Sequence, residues 1–130
     1  MKAGILFEKN SNAKIVRDKN GRFCKGTHYS HWKGKKYTAF TLETESCTIE
    51  GREKDGWMKY GEFDYLLYGF VQQDNNIELY VIPFQKLKKW FWENYKNFQI
   101  TETNQINRTR CRIVDIKEVE TRVGFKKFYL

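Results

Sequence analysis

Residues 55–98, DGWMKYGEFDYLLYGFVQQDNNIELYVIPFQKLKKWFWENYKNF, decide how this chain folds. They hold three of its four tryptophans and most of its contiguous apolar residues. The signals run in order: turn, apolar strand, polar turn, strand, proline, amphipathic helix. Phe63–Val71 and Ile77–Ile82 are rich in β-branched and aromatic residues and flank Gln72–Asn76, a polar turn of hairpin length. Pro83 stands where a helix can begin, because the first turn leaves its N–H position unpaired in any case. Beyond it Leu87, Trp90, Phe91, Asn94 or Tyr95, and Phe98 recur at helical spacing. This predicts a helix over about 83–97, with Lys86, Lys89 and Lys96 outside or flanking its apolar stripe. Trp90 and Trp92 cannot share one face, so one of them is a boundary or contact residue.

Outward from this stretch, charge divides the chain. Residues 1–36 carry ten Lys/Arg against two acids, residues 37–82 three against nine, and residues 83–130 eleven against five. The net charge of +8 is therefore an acidic middle between two basic ends. Basic ends suit a polyanion and an acidic centre suits a metal ion or a basic protein surface, although solubility charge can cluster in the same way. The aromatic share of 17 % predicts a core built on rings. Cys24, Cys47 and Cys111 are odd in number and have no C-x-x-C spacing, which fits a reducing cytoplasm better than a disulfide framework. The apolar run in MKAGILFEKN is shorter than a signal peptide needs, and no stretch approaches a membrane span.

Before the acidic middle, Ala3–Phe7 and Ala13–Val16 read as the strands of a hairpin, and Arg17–Gly26, RDKNGRFCKG, as a loop with a turn at Asn20-Gly21. In that loop Arg17, Lys19, Arg22 and Lys25 can lie along a phosphate backbone and Phe23 can stack on a base, or the segment is a solvated connection anchored by one ring. His28 and His31 lack the third ligand and the spacing of a metal site. With Trp32, Lys33, Lys35 and Lys36 they read better as a binding surface.

Tyr37–Ser46, YTAFTLETES, alternates as a half-buried strand, with Phe40 and Leu42 on one face and Thr41, Glu43 and Glu45 on the other. Two carboxylates two residues apart can hold a hard divalent cation, or can be the wet face of an edge strand. After the helix, Thr101–Asn107 reads as a loop. Arg110–Ile116 is a strand with Arg110 and Arg112 on one face, and TRVGFKKFYL, with Lys126 and Lys127, is a docked tail or a binding edge. The expected fold is α+β, a single domain over 1–130. It has one mixed or antiparallel sheet of five to six strands against one main helix, a basic hairpin and loop over 1–36 and a basic aromatic tail over 120–130.

The order Glu43–Ser46, Gly56-Trp57, Asp64-Tyr65, Leu79–Ile82, a Lys-rich helix and then Asn107–Val119 resembles small phage and plasmid proteins of the PD-(D/E)XK nuclease-like superfamily. The resemblance covers residues 40–119 and implies a truncated restriction-endonuclease-like core over 37–119. It also implies a bacterial host cytoplasm as the setting and nucleic acid, or a host nucleoprotein defence complex, as the partner. The family's Asp and Glu-x-Lys hold Mg²⁺ and position water. Here no Glu-x-Lys precedes the acidic strand, and Glu8 and Lys9 are adjacent, so alternation sends them to opposite faces. The nearest substitute is Asp18 with Glu43-Thr44-Glu45.

Three functions follow from this reading. The first is a non-catalytic nuclease-like binding protein of the anti-CRISPR inhibitor kind, without a cofactor. The second is an active Mg- or Mn-dependent endonuclease using Asp18, Glu43, Glu45 and Asp64, with Lys54 or Lys59 as the cation. The third is a structural or self-associating module.

Overall fold

A computed structural model describes residues 14–17, 23–29, 31–32, 35–72, 77–102 and 106–129, with backbone alone up to residue 35 and at Val71. The fold is α+β, and the chain divides into two compact units. One comprises residues up to Tyr37 with Phe63–Phe84 and Phe125–Leu130; the other comprises Thr38–Glu62 and Gln85–Gly124.

The first unit is organised by β7 (Tyr65–Val71) and β8 (Ile77–Pro83), which pair antiparallel, and by β11 (Lys126–Tyr129), which pairs antiparallel with β8. On the other side β2 (Phe23–Tyr29) runs parallel to β7 and β1 (Lys14–Arg17) antiparallel to β2. A two-stranded ribbon joins β3 (His31–Trp32) to β4 (Lys35–Lys36). Leu67, Ile77 and Leu79 form one buried cluster with Val81 packed on it, as the two-residue period of paired strands requires. Phe63 packs edge-on against Phe84 at 5.0 Å, and the Phe84 N–H, an orphan of the first helical turn, donates to the Asp64 carbonyl at 3.0 Å.

The second unit is a four-stranded antiparallel sheet in the order β6 (Lys54–Asp55), β5 (Ala39–Cys47), β10 (Arg110–Asp115), β9 (Gln99–Glu102). Its helices are α1 (Trp57–Tyr60), α2 (Phe84–Asn94, whose first residue falls in the other unit) and α3 (Ile116–Arg122); a 3₁₀ turn over Tyr95–Asn97 follows α2. The apolar stripe of α2 is buried at Leu87 and Phe91, and Phe98 beyond it stacks on Phe91 at 5.5 Å. Asp115 caps α3, its carboxylate accepting from the Lys117 N–H at 2.8 Å.

Several expectations change. The strands fall into two sheets and a ribbon instead of one sheet, because a buried face tells a strand which side to hide and not which strand to pair with. Phe23–Gly26 is strand, not loop, and Lys14–Arg17 takes it as partner, with the Asn20-Gly21 turn signal lying between them. The main helix ends at Asn94 and tightens into the 3₁₀ turn where its prediction ran on to 97. Gln99–Glu102 is an edge strand where a loop was expected from 101. The tail docks as β11. The Ala3–Phe7 strand, Asp18, Lys19, Arg22 and Lys33 lie outside the described residues. No described helix is long and apolar enough to cross a membrane.

Candidate functional site

The acidic strand β5 does not run straight. Arg110 pairs with Glu45 and Cys111 with Glu43, so β5 has one extra residue, Thr44, in that interval. A second irregularity against β6 places Glu45 opposite Asp55 and Cys47 opposite Lys54. Such bulges bend a strand and re-aim its side chains. Phe40 and Leu42 are fully buried, as the alternation predicts, and Thr44, next on the same face, is buried with them at 2 % exposure. Its hydroxyl donates to the Glu45 carboxylate.

Gly56 lies directly over this strand. Its N–H donates to the Thr44 carbonyl at 2.8 Å, and a Cβ in its place would stand 2.6 Å from the Glu43 carbonyl oxygen. Only a residue without a side chain allows that approach, and it lets α1 begin against the carboxylates. The Trp57 backbone N–H hydrogen-bonds Glu43. From the next turn Lys59 Nζ reaches Glu45 Oε1 at 3.0 Å and Asp55 Oδ1 at 3.5 Å.

Four residues make a helix too short to hold itself together, so α2 supports it. Trp92 Nε1 donates to the Met58 carbonyl at 2.9 Å, and one turn earlier Lys88 Nζ donates to the Lys59 and Gly61 carbonyls at 2.8 and 3.0 Å. These are carbonyls that the end of a helix leaves without partners. Lys59 also lies 5.9 Å from the centre of the Trp92 ring. Trp90 instead contacts Phe98 at 5.3 Å, so the two tryptophans face different ways, as their spacing demands, and Trp92 is the one that contacts α1.

The two strand carboxylates differ electrostatically. Burial raises the Glu43 pKa above the ordinary 4.5, and the Trp57 N–H only partly offsets this. Burial acts on Glu45 in the same sense, but hydrogen bonds from Thr44 and Lys59, with the charges of Lys59 and Arg110, outweigh it and lower its pKa. The Glu45 hydrogen bond in turn holds the Lys59 pKa above its usual 10.5. Cys111, cross-strand from Glu43, is pushed up to about 12 by burial and by both carboxylates, so it stays a protonated, unreactive thiol.

This donor set does not suit a hard dication. Both oxygens of Glu45 already accept, one from the Lys59 ammonium and one from the Thr44 hydroxyl, burial disfavours the charge on Glu43, and no three His, Cys, Asp or Glu side chains gather as a metal site among the described residues. Of the other residues named with this strand, Asp64 is exposed and belongs to the first unit, and Lys54 is exposed on β6.

The basic residues separate into two groups. Lys86 and Lys89 on α2 are exposed, as are Lys36 and Lys126. Arg110 is paired with Glu102 through Nε at 2.8 Å and Nη2 at 2.6 Å. Arg112 Nη1 donates to the Tyr95 and Phe98 carbonyls, both at 3.0 Å, and its guanidinium lies 5.3 Å from the Tyr95 ring centre, so it closes the 3₁₀ turn from inside. For Arg17, Phe23, Lys25, Trp32 and Lys35 the backbone alone is placed, on β1 to β4.

A second cluster, in the first unit, was not anticipated. Glu78 on β8 is 5 % exposed, and the Tyr80 hydroxyl donates to it. Lys127 Nζ lies 3.3 Å from Glu78 Oε1 and Lys36 Nζ 3.8 Å from Oε2. In the run IELYVI, Glu78 looks like the wet position of an alternating strand; the only signal against that was the basic tail needing an acid to dock on.

No family model matches this chain, and searches of curated proteins and of solved structures return no match.

Proposed function

We propose that this chain is a non-catalytic nucleic-acid-binding protein of a phage or other mobile element, built on a restriction-endonuclease-like core whose acidic strand has become structural. The observation that carries this reading is Lys59 Nζ at 3.0 Å from Glu45 Oε1. It compensates the acidic strand from within the protein, at the position where a catalytic site would need an open cation position. Three lysines on and just after α2 are not compensated in this way. Lys86, Lys89 and Lys96 are exposed and make no ion pair among the described residues, and the chain carries +8 overall. A surface of that kind attracts phosphates by counterion release.

Fluorescence anisotropy with labelled single-stranded and duplex oligonucleotides tests the binding half. Affinity is expected to fall steeply between about 50 and about 200 mM salt. Failure to bind either nucleic acid overturns this half and points to a protein partner. Incubation with plasmid in Mg²⁺ or Mn²⁺ tests the other half. Intact plasmid is expected, and metal-dependent cleavage that Glu43→Ala or Glu45→Ala abolishes would establish an endonuclease instead.

A further inference from the structure

The Glu78 cluster has no part in the acidic strand. Across β8 and β11, Glu78 stands opposite Tyr129 and Tyr80 opposite Lys127, and the two-residue period puts all four side chains on one face of the sheet. Burial works against the charge on Glu78, but the Tyr80 hydrogen bond and the ammonium groups of Lys127 and Lys36 outweigh it and lower its pKa. One anchored carboxylate thus holds two cations, leaving one positive charge in excess. Both cations reach solvent, with side-chain exposures of 55 % for Lys36 and 36 % for Lys127.

Beside them Tyr129 is 72 % exposed, with Lys127 Nζ 5.3 Å from its ring centre. A largely exposed ring that already holds Lys127 by its side chain, next to a second lysine paired with Glu78, matches the chemistry of one nucleotide of a single strand, with the phosphate on the ammonium groups and the base on the exposed part of the ring. A duplex can use the cations, but its bases are already stacked on one another.

We propose that Lys36, Lys127 and Tyr129, held by Glu78, form a contact for single-stranded nucleic acid. This rests on the binding function proposed above and names its substrate class.

The test is anisotropy with a labelled oligothymidylate and with a duplex of the same length, on the full chain and its variants. Tyr129→Ala is expected to weaken single-strand binding about tenfold, the loss of one stacked base, and to leave duplex binding within about twofold. Tyr129→Phe, which keeps the ring and gives up only the hydroxyl that hydrogen-bonds Lys127, is expected to bind single strands within about twofold of wild type. Lys36→Gln is expected to reduce the single-strand salt slope by about 0.7, the release of one counterion. If Tyr129→Ala binds single strands as the wild type does, or loses both ligands equally, the contact is wrong while the proposed function stands. If the wild-type chain binds neither ligand, the proposed function fails and this contact with it.

Discussion

Lys59 Nζ lies 3.0 Å from Glu45 Oε1, across fourteen residues of sequence, and this pair gives one of the two carboxylates of the acidic strand a fixed counter-charge. Both side chains are partly open, Lys59 at 34 % and Glu45 at 25 %, so solvent screens the pair and its coupling is modest. A double-mutant cycle of Glu45→Gln and Lys59→Met is expected to give about 0.5–1 kcal/mol at neutral pH. The Glu45 pKa is depressed, so its share is present above 4.5 and is lost as pH falls through the folded value. The Lys59 pKa is raised, so its share is present below 10.5 and is lost as pH rises through its folded value. Urea midpoints across that range check both edges of the window.

Glu43 should behave in the opposite way. Its folded pKa lies above 4.5, so the folded state holds its proton more tightly than the unfolded chain does. Its contribution is therefore most favourable below 4.5 and is lost as pH rises through the folded value. Glu43→Gln keeps a carbonyl for the Trp57 N–H and removes the charge. It is expected to be more stable than wild type at pH well above the folded value, with the difference shrinking towards acid. Denaturation midpoints of both proteins at two pH values decide it.

Gly56→Ala introduces a methyl 2.6 Å from a backbone oxygen of β5, where the obstructing atom cannot rotate away. The expected cost is about 1–3 kcal/mol, as for other overpacked sites. Gly51 makes a useful contrast. A Cβ there meets nothing within 4 Å, but its φ of +84° is in the left-handed region, so alanine is expected to cost about 1–2 kcal/mol through the backbone alone. A compensating cavity beneath Gly56, such as Glu43→Ala, should not rescue Gly56→Ala, because the nearest atom is main chain.

Lys88→Met retains the bulk of the side chain and removes the cation from two carbonyls at the end of α1. About 1–3 kcal/mol is expected to be lost, since those acceptors are left without their partner. Hydrogen exchange should accelerate at the α1 amides before the β5–β10 ladder is affected. Uniform acceleration throughout the second unit would show instead that the clamp is part of its global stability.

Local rules carried a good part of this structure. The alternation of AFTL placed Phe40 and Leu42 inside, the helical spacing of Leu87, Phe91 and Phe98 placed them inside, and the Pro83 signal put the start of α2 within one residue. Two-residue and 3.6-residue periods are properties of the backbone, and any chain that folds at all must obey them. The spacing also foretold that one of Trp90 and Trp92 would leave the core stripe, though not that Trp92 would hold α1 by its indole N–H.

What tertiary structure alone decided were the partners. Glu45 could have been a metal ligand or a wet edge residue until Lys59 arrived from α1, and that arrival depends on Gly56 lying close over β5 and on Lys88 and Trp92 gripping α1 from another helix. Glu78 had the spacing of a solvent-facing residue and is buried because β11 brings Lys127 to it from forty-nine residues further along the chain. The division of the strands into two sheets has the same origin. Which strand pairs with which is set by contacts between distant segments, and no periodicity within either segment carries that information. The sequence by itself therefore determined which apolar residues β5 and α2 hide; the fold determined which charges are already satisfied, and so which remain for a ligand.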